Sequence, residues 1–243
     1  MTSQKPVLLL LPNLLGDHRH AEVFLPASVA KAVGTLDGLI AESEAEGRRY
    51  LKRFDTKLPA NEIPIALFNE HTPDDHIDFL LDPIEKGERW GLVSDAGLPC
   101  IADPGSKLVH RARLKGVAVQ TFVGPSSIMM ALMLSGLPAQ KFFFHGYLHR
   151  EAAKRSAQLK NLVQTSKTEQ ATQIFMEAPY RNAQALEAVL EVLPDDVWLA
   201  VAWDLTMPTQ GVVCQLVASW KKSTIPNIDK KPAIFLFSSQ PLV

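Results

Sequence analysis

Short apolar runs alternate along this chain with stretches in which apolar residues recur at helical spacing. VLLLL (7–11), LDGLIAE (36–42), IPIALF (63–68), WGLVS (90–94) and VAVQTFV (117–123) predict strands, and helical patterns lie near 44–54, 74–86 and 104–115. Such alternation builds βα units on a largely parallel sheet, here a five-stranded α/β layer. Asp103 is the expected N-cap of the helix near 104, with Pro104 at its first position.

After Val123, GPSSIMMALMLSGLP predicts an apolar helix capped by a serine and ended by Gly136 and Pro138. A second series follows, with strands at 141–147, 171–178, 197–205, 211–218 and 232–238 and helices at 151–165 and 180–193. The last three strands leave no room for helices between them, so this second sheet is expected to be mixed. The sequence therefore predicts an α/β protein of two α/β domains, residues 1–120 and 121–243, with a cleft between them.

Composition narrows the function. Of 243 residues 47% are hydrophobic and 21% charged, the profile of a globular chain able to bury a sizeable core. The net charge of -1 lacks the overall basic footprint of a dedicated nucleic-acid binder, so such a partner would need a local patch. RRYLKR (48–53) and HREAAKRSAQLK (149–160) are the basic runs available for a phosphate backbone, or are simply solvated helix faces. Cys100 and Cys214 are too few for a disulfide framework and imply reduced thiols in a cytoplasmic protein. No metal-ligand spacing occurs. The apolar start, Val7 to Leu11, is cut by Pro12 and Asn13 and is expected to be a buried strand rather than a signal peptide or a membrane span.

Candidate chemistry concentrates in the loops after strands, because open α/β sheets bind ligands outside the carboxyl ends of their strands. LVSDAGLPCIADPG (92–105) leaves the WGLVS strand with two aspartates, two glycines and two prolines. Gly97 and Gly105 are read as letting backbone approach a ligand, and Asp95 and Asp103 as acceptors for hydroxyl or ammonium groups. There is no GxGxxG and no GxxxxGK[ST], so the backbone nests that cradle polyphosphates are missing.

SDAGLPCIADPG (94–105), VGPSS (123–127), FHGYLHR (144–150) and EAPYR (177–181), in this order, resemble the S-adenosylmethionine-dependent methyltransferases of the tetrapyrrole-methylase fold. The nearest branch is the ribosomal RNA small subunit methyltransferase I type, which methylates a cytidine ribose 2′-oxygen of 16S rRNA. The resemblance implies S-adenosylmethionine in the interdomain cleft, lined by Asp95, Ala96, Gly97, Ser126 and Ser127. Phe144, Glu177, Ala178, Leu205 and the stretch Pro232, Ala233 and Ile234 complete the implied pocket. It also implies a homodimer acting on 16S rRNA or the small ribosomal subunit. A ribose hydroxyl is a weak nucleophile and gains from a positioned base. Glu177 is the first candidate for that base and His71 the second, with capping roles as the bland alternative for each. His145, inside an apolar run, reads as a satisfied core or cleft histidine.

Three blocks depart from the branch. TPIGNLxD is LPNLLGD (11–17), AEDTRxxRxLL is AESEAEGRRYL (41–51), and RELTKxxEE is WDLTMPTQG (203–211). Ser43, Glu44 and Ala45 thus stand where the branch carries Asp, Thr and Arg. Two other readings stay open: a methyltransferase acting on a tetrapyrrole or other small molecule, and a non-catalytic S-adenosylmethionine-binding sensor or assembly protein.

Overall fold

The computed structural model describes residues 6–18 and 20–240, which divide into two compact units, Met1–Ser126 and Ser127–Val243. The first unit runs β1 (Val7–Leu10), α1 (Ala27–Val33), β2 (Gly38–Ala41), α2 (Glu44–Leu51), β3 (Ile65–Leu67), α3 (Ile77–Glu85), β4 (Trp90–Leu92), α4 (Gly105–Leu114) and β5 (Ala118–Thr121). Its sheet has the order β3-β2-β4-β1-β5 with every pairing parallel. All carboxyl ends therefore share one edge.

Leu8 and Leu9 point to opposite faces of β1, and both are fully buried. On one face Leu9 and Leu39 pack with Val29 and Val33 of α1 and Tyr50 and Leu51 of α2. On the other, Leu8 and Ile40 meet Ile77, Leu81 and Ile84 of α3 and Leu108 and Ala112 of α4. Burial on both faces explains why these strands read as continuous apolar runs instead of alternating. Gly38 lies opposite Trp90, and a Cβ there would meet the indole carbons at 2.3 to 2.5 Å, so the ring lies across the bare backbone.

The second unit runs α5 (Ser127–Ser135), β6 (Phe142–Tyr147), α6 (Ala152–Glu169), β7 (Thr172–Met176), α7 (Asn182–Val192), β8 (Trp198–Trp203), β9 (Gly211–Leu216), α8 (Val217–Trp220) and β10 (Ala233–Ser238). The order is β6-β7-β10-β8-β9; β6 and β7, joined through α6, are parallel and the other pairings antiparallel, so the sheet is mixed. Phe175 and Phe235 stack at 5.1 Å on the face covered by α6 and α7, while Ile234 and Leu236 are buried on the other face.

Several details differ from the sequence reading. The helix α1 was not expected: at seven residues, with Pro26 before it, it is too short for its period to stand out. The start of α4 is Gly105, with Pro104 as its N-cap and no side-chain cap, because Asp103 turns back into its own loop. There its carboxylate accepts the Cys100 N–H at 2.8 and 2.9 Å and the Gly105 N–H at 2.7 Å. Gly105 is glycine for packing rather than for a ligand, since a Cβ would meet Asp103, Cys100 and Leu92 within 3.0 Å. The short helix α8 does fit between β9 and β10. The strand β8 stops at Trp203 because Asp204 (φ 48) and Thr206 (φ 73) turn left-handed.

Candidate functional site

At the carboxyl edge of the first sheet the loop after β4 is tied down from beneath. Asn13, just past β1 and almost fully buried, donates from Nδ2 to the carbonyls of Ser94 and Asp95, both at 2.9 Å. Its Oδ1 accepts the Leu14 N–H at 2.9 Å and the Arg53 guanidinium at 3.0 Å. Its backbone N–H reaches the Gly97 carbonyl at 2.7 Å, and Glu42, just past β2, accepts the Asp95 N–H at 3.1 Å. Gly97 adopts φ +71, a conformation that favours glycine. Asp95 and Ala96 are left exposed at the crest.

This edge is rich in carboxylates. Desolvation, then the neighbouring Glu46, raises the Asp95 pKa, against the pull of Arg49. Desolvation also raises Glu42, with Asp95, Asp103 and Glu70 adding repulsion. Burial, then Asp103, pushes the Cys100 thiol up to about 12, which keeps it protonated and unreactive at neutral pH. A cavity of 140 Å³ opens at the crest, lined by residues 13–17 and by Glu46, Arg49, Arg53, Asp95 and Ala96. Ligand pockets usually span about 300–1,000 Å³, so this cavity alone is smaller than a pocket for a whole ligand.

Two strands away on the same edge, His71 follows β3. Its side chain is 85% exposed, with Nε2 3.5 Å from Glu70, and it caps no helix, since the 3₁₀ turn that follows has Pro73 at its N-cap and no side-chain cap. With Leu67, His76, Phe79 and Leu80 it lines a groove of 460 Å³. Asn69 joins this groove to the crest by donating to the Glu42 carbonyl at 3.3 Å.

In the second unit Glu177 follows β7 directly, with only 1% of its side chain exposed. It accepts the Ala178 N–H at 3.0 Å and lies 2.9 Å from the Arg181 guanidinium, an ion pair lacking hydrogen-bond geometry. Phe144 sits at a register shift in β6, beside His145, whose Nε2 lies 2.8 Å from the buried Gln173 amide. Leu205, Ala233 and Ile234 are buried and Pro232 is exposed. The Pro232 carbonyl accepts the Asp204 N–H at 3.0 Å. Ser126 closes the first unit and Ser127 opens α5.

A model of the Tetrapyrrole (Corrin/Porphyrin) Methylases matches residues 27–219. The chain belongs to the tetrapyrrole methylase family. Among its relatives, a protein of Mycobacterium tuberculosis (strain ATCC 25618 / H37Rv) called ribosomal RNA small subunit methyltransferase I is 36% identical, over 76% of this chain and 62% of its own length. The protein of the same name from Bacillus subtilis (strain 168) is 31% identical over 84% of this chain and 65% of its length. The chain thus spans just under two thirds of these relatives. The crystal structure of the methyltransferase CobJ matches with a TM-score of 0.64 at 15% identity, over 97% of this chain and 94% of that one, a likeness of fold.

The residues of this tetrapyrrole methylase suit S-adenosylmethionine. That molecule presents a sulfonium, an ammonium and ribose hydroxyls but no phosphate, and the cavity offers the carboxylates of Asp17 and Asp95, beside Arg53 and a Glu46 already paired with Arg49 at 2.8 Å. The basic runs are less available than their sequence suggested. Arg48 donates to the carbonyls of Ala60 and Ile63 at 2.7 and 2.6 Å, Arg53 holds Asn13, and buried Arg155 donates to the Arg150 carbonyl at 3.0 Å. Sequence reading missed Asn13, Glu42 and Arg53 as parts of this edge. The signal for two of them was present: Asn13 and Glu42 each follow a strand, as Asp95 does.

Proposed function

We propose that this protein is a cytoplasmic S-adenosylmethionine-dependent methyltransferase that modifies small-subunit ribosomal RNA at a ribose 2′-oxygen. The observation that carries this reading is family membership together with relatives that bear the name ribosomal RNA small subunit methyltransferase I. When bound, S-adenosylmethionine supplies an electrophilic methyl group with a neutral thioether as its leaving group. Asp95, Ala96 and Gly97 hold the cofactor at the carboxyl edge. The contacts expected from Ser126, Ser127, Phe144, Ala178, Leu205 and Pro232 to Ile234 belong to the same proposal.

The acceptor hydroxyl must lose its proton as the new oxygen–carbon bond forms. We assign that proton to His71 rather than to Glu177. The Glu177 carboxylate is committed to Arg181 and the Ala178 N–H, which suits it to shaping the turn after β7. His71 is open to an incoming substrate, in a groove large enough for a nucleoside. The protein further acts as a homodimer, for which α5 offers an apolar surface: Met129, Met133 and Leu134 are 45%, 78% and 41% exposed.

Transfer of labelled methyl from S-adenosylmethionine to 30S subunits and naked 16S rRNA, from cells lacking this protein, tests the reading. Label in the ribose of one nucleotide is expected. No label, with cofactor binding intact, would overturn the RNA reading and favour a small-molecule acceptor or a sensor.

A further inference from the structure

The Asn13 amide uses its whole hydrogen-bonding capacity. Both N–H groups donate, to the Ser94 and Asp95 carbonyls at 2.9 Å, and the oxygen accepts twice, from the Leu14 N–H and the Arg53 guanidinium. Two carbonyls on one side and two donors on the other fix which end is nitrogen, so the orientation of the amide is unambiguous. The partners lie 81 and 82 residues away in sequence, and what they hold is a loop crest whose outermost residues, Asp95 and Ala96, are exposed. A buried amide with every group satisfied fixes its partners in one arrangement, and the cationic Arg53 on its oxygen strengthens the two N–H donors opposite.

We propose that Asn13, braced by Arg53, is a positioning residue for the cofactor: it sets the backbone at 94–95 so that the Asp95 carboxylate stands where a cationic ligand meets it. This deepens the functional reading above and rests on it. In this role both side chains act through Asp95, beside the cavity that they help to line.

The test is Asn13→Asp. The substitution keeps the size of the side chain and its acceptor toward Leu14 and Arg53, but turns an oxygen toward the two carbonyls. S-adenosylmethionine binding by calorimetry is expected to weaken about tenfold or more, as two lost hydrogen bonds imply. The KM for the cofactor should rise, with kcat at saturation little changed. A double-mutant cycle with Asp95→Asn gives the decisive readout: if Asn13 acts through Asp95, Asn13→Asp costs far less affinity in that background. An equal cost in both backgrounds overturns the proposal, as does unchanged affinity in the single variant. Hydrogen exchange at 94–97 serves as a ligand-independent arm, and exchange as slow as in the parent would overturn the clamp itself. A parent protein that binds no S-adenosylmethionine overturns the functional reading and with it the cofactor role.

Discussion

Glu42 does two opposed things. It fixes the loop after β4 by accepting the Asp95 N–H, and it keeps a desolvated carboxylate near Asp95, Asp103 and Glu70. Its pKa is higher in the folded chain than in the unfolded one, so its ionised form works against folding. Stability therefore falls as pH rises through the window between the two values and is regained on acidification. Glu42→Gln keeps the acceptor and removes the charge. Calorimetric melting should give the variant the higher Tm at about pH 8, with the two proteins converging near pH 4. His71→Ala is expected to lower kcat about 10²-fold or more while leaving cofactor binding unchanged, and single-turnover methylation against calorimetric affinity separates the two. Asp95 was legible in the sequence because a polar residue just past a buried strand has few structural uses. Asn13 and Glu42 follow strands in the same way, but what they hold was not legible, because the backbone groups they bind lie in a loop far along the chain.

At the level of elements, the departure at 43–46 has a local cause. Ser43 caps α2 by accepting the Glu46 N–H at 3.2 Å, the first half of an S-x-x-E capping box. Glu44 and Glu46 add charge at the helix start, where the dipole favours it. Ser43 and Glu44, which stand in place of the branch's Asp and Thr, therefore serve the helix. Ser43→Ala should cost about 0.5–2 kcal/mol, read as faster hydrogen exchange confined to α2 and its neighbours. The central strands β1, β2 and β4 were legible because burial on both faces writes continuous apolar runs. The three-residue 3₁₀ turns and α1 were not, being too short to repeat a pattern. The end of β8 escaped for another reason: left-handed Asp204 and Thr206 carry no glycine to mark them.

For the whole molecule, α5 is apolar all round, and a helix of that kind ordinarily has every face covered. Its inner face meets β8, β9 and β10, while Met133 stays 78% exposed. Met133→Glu is expected to shift the protein from dimer to monomer in light scattering after gel filtration, without loss of helix by circular dichroism. A monomeric parent would remove that assignment. The pairing of a glycine with an indole also occurs in both sheets, Gly38 with Trp90 in one and Gly211 with Trp203 in the other. Of the four tryptophans, Trp90 alone belongs to residues 1–126. Held against bare backbone and only 7% exposed, it should fluoresce in the blue and redden when the first unit melts. The difference between parent and Trp90→Phe spectra thus isolates one unit's denaturation, leaving the other three indoles to report on its companion, with no dye attached.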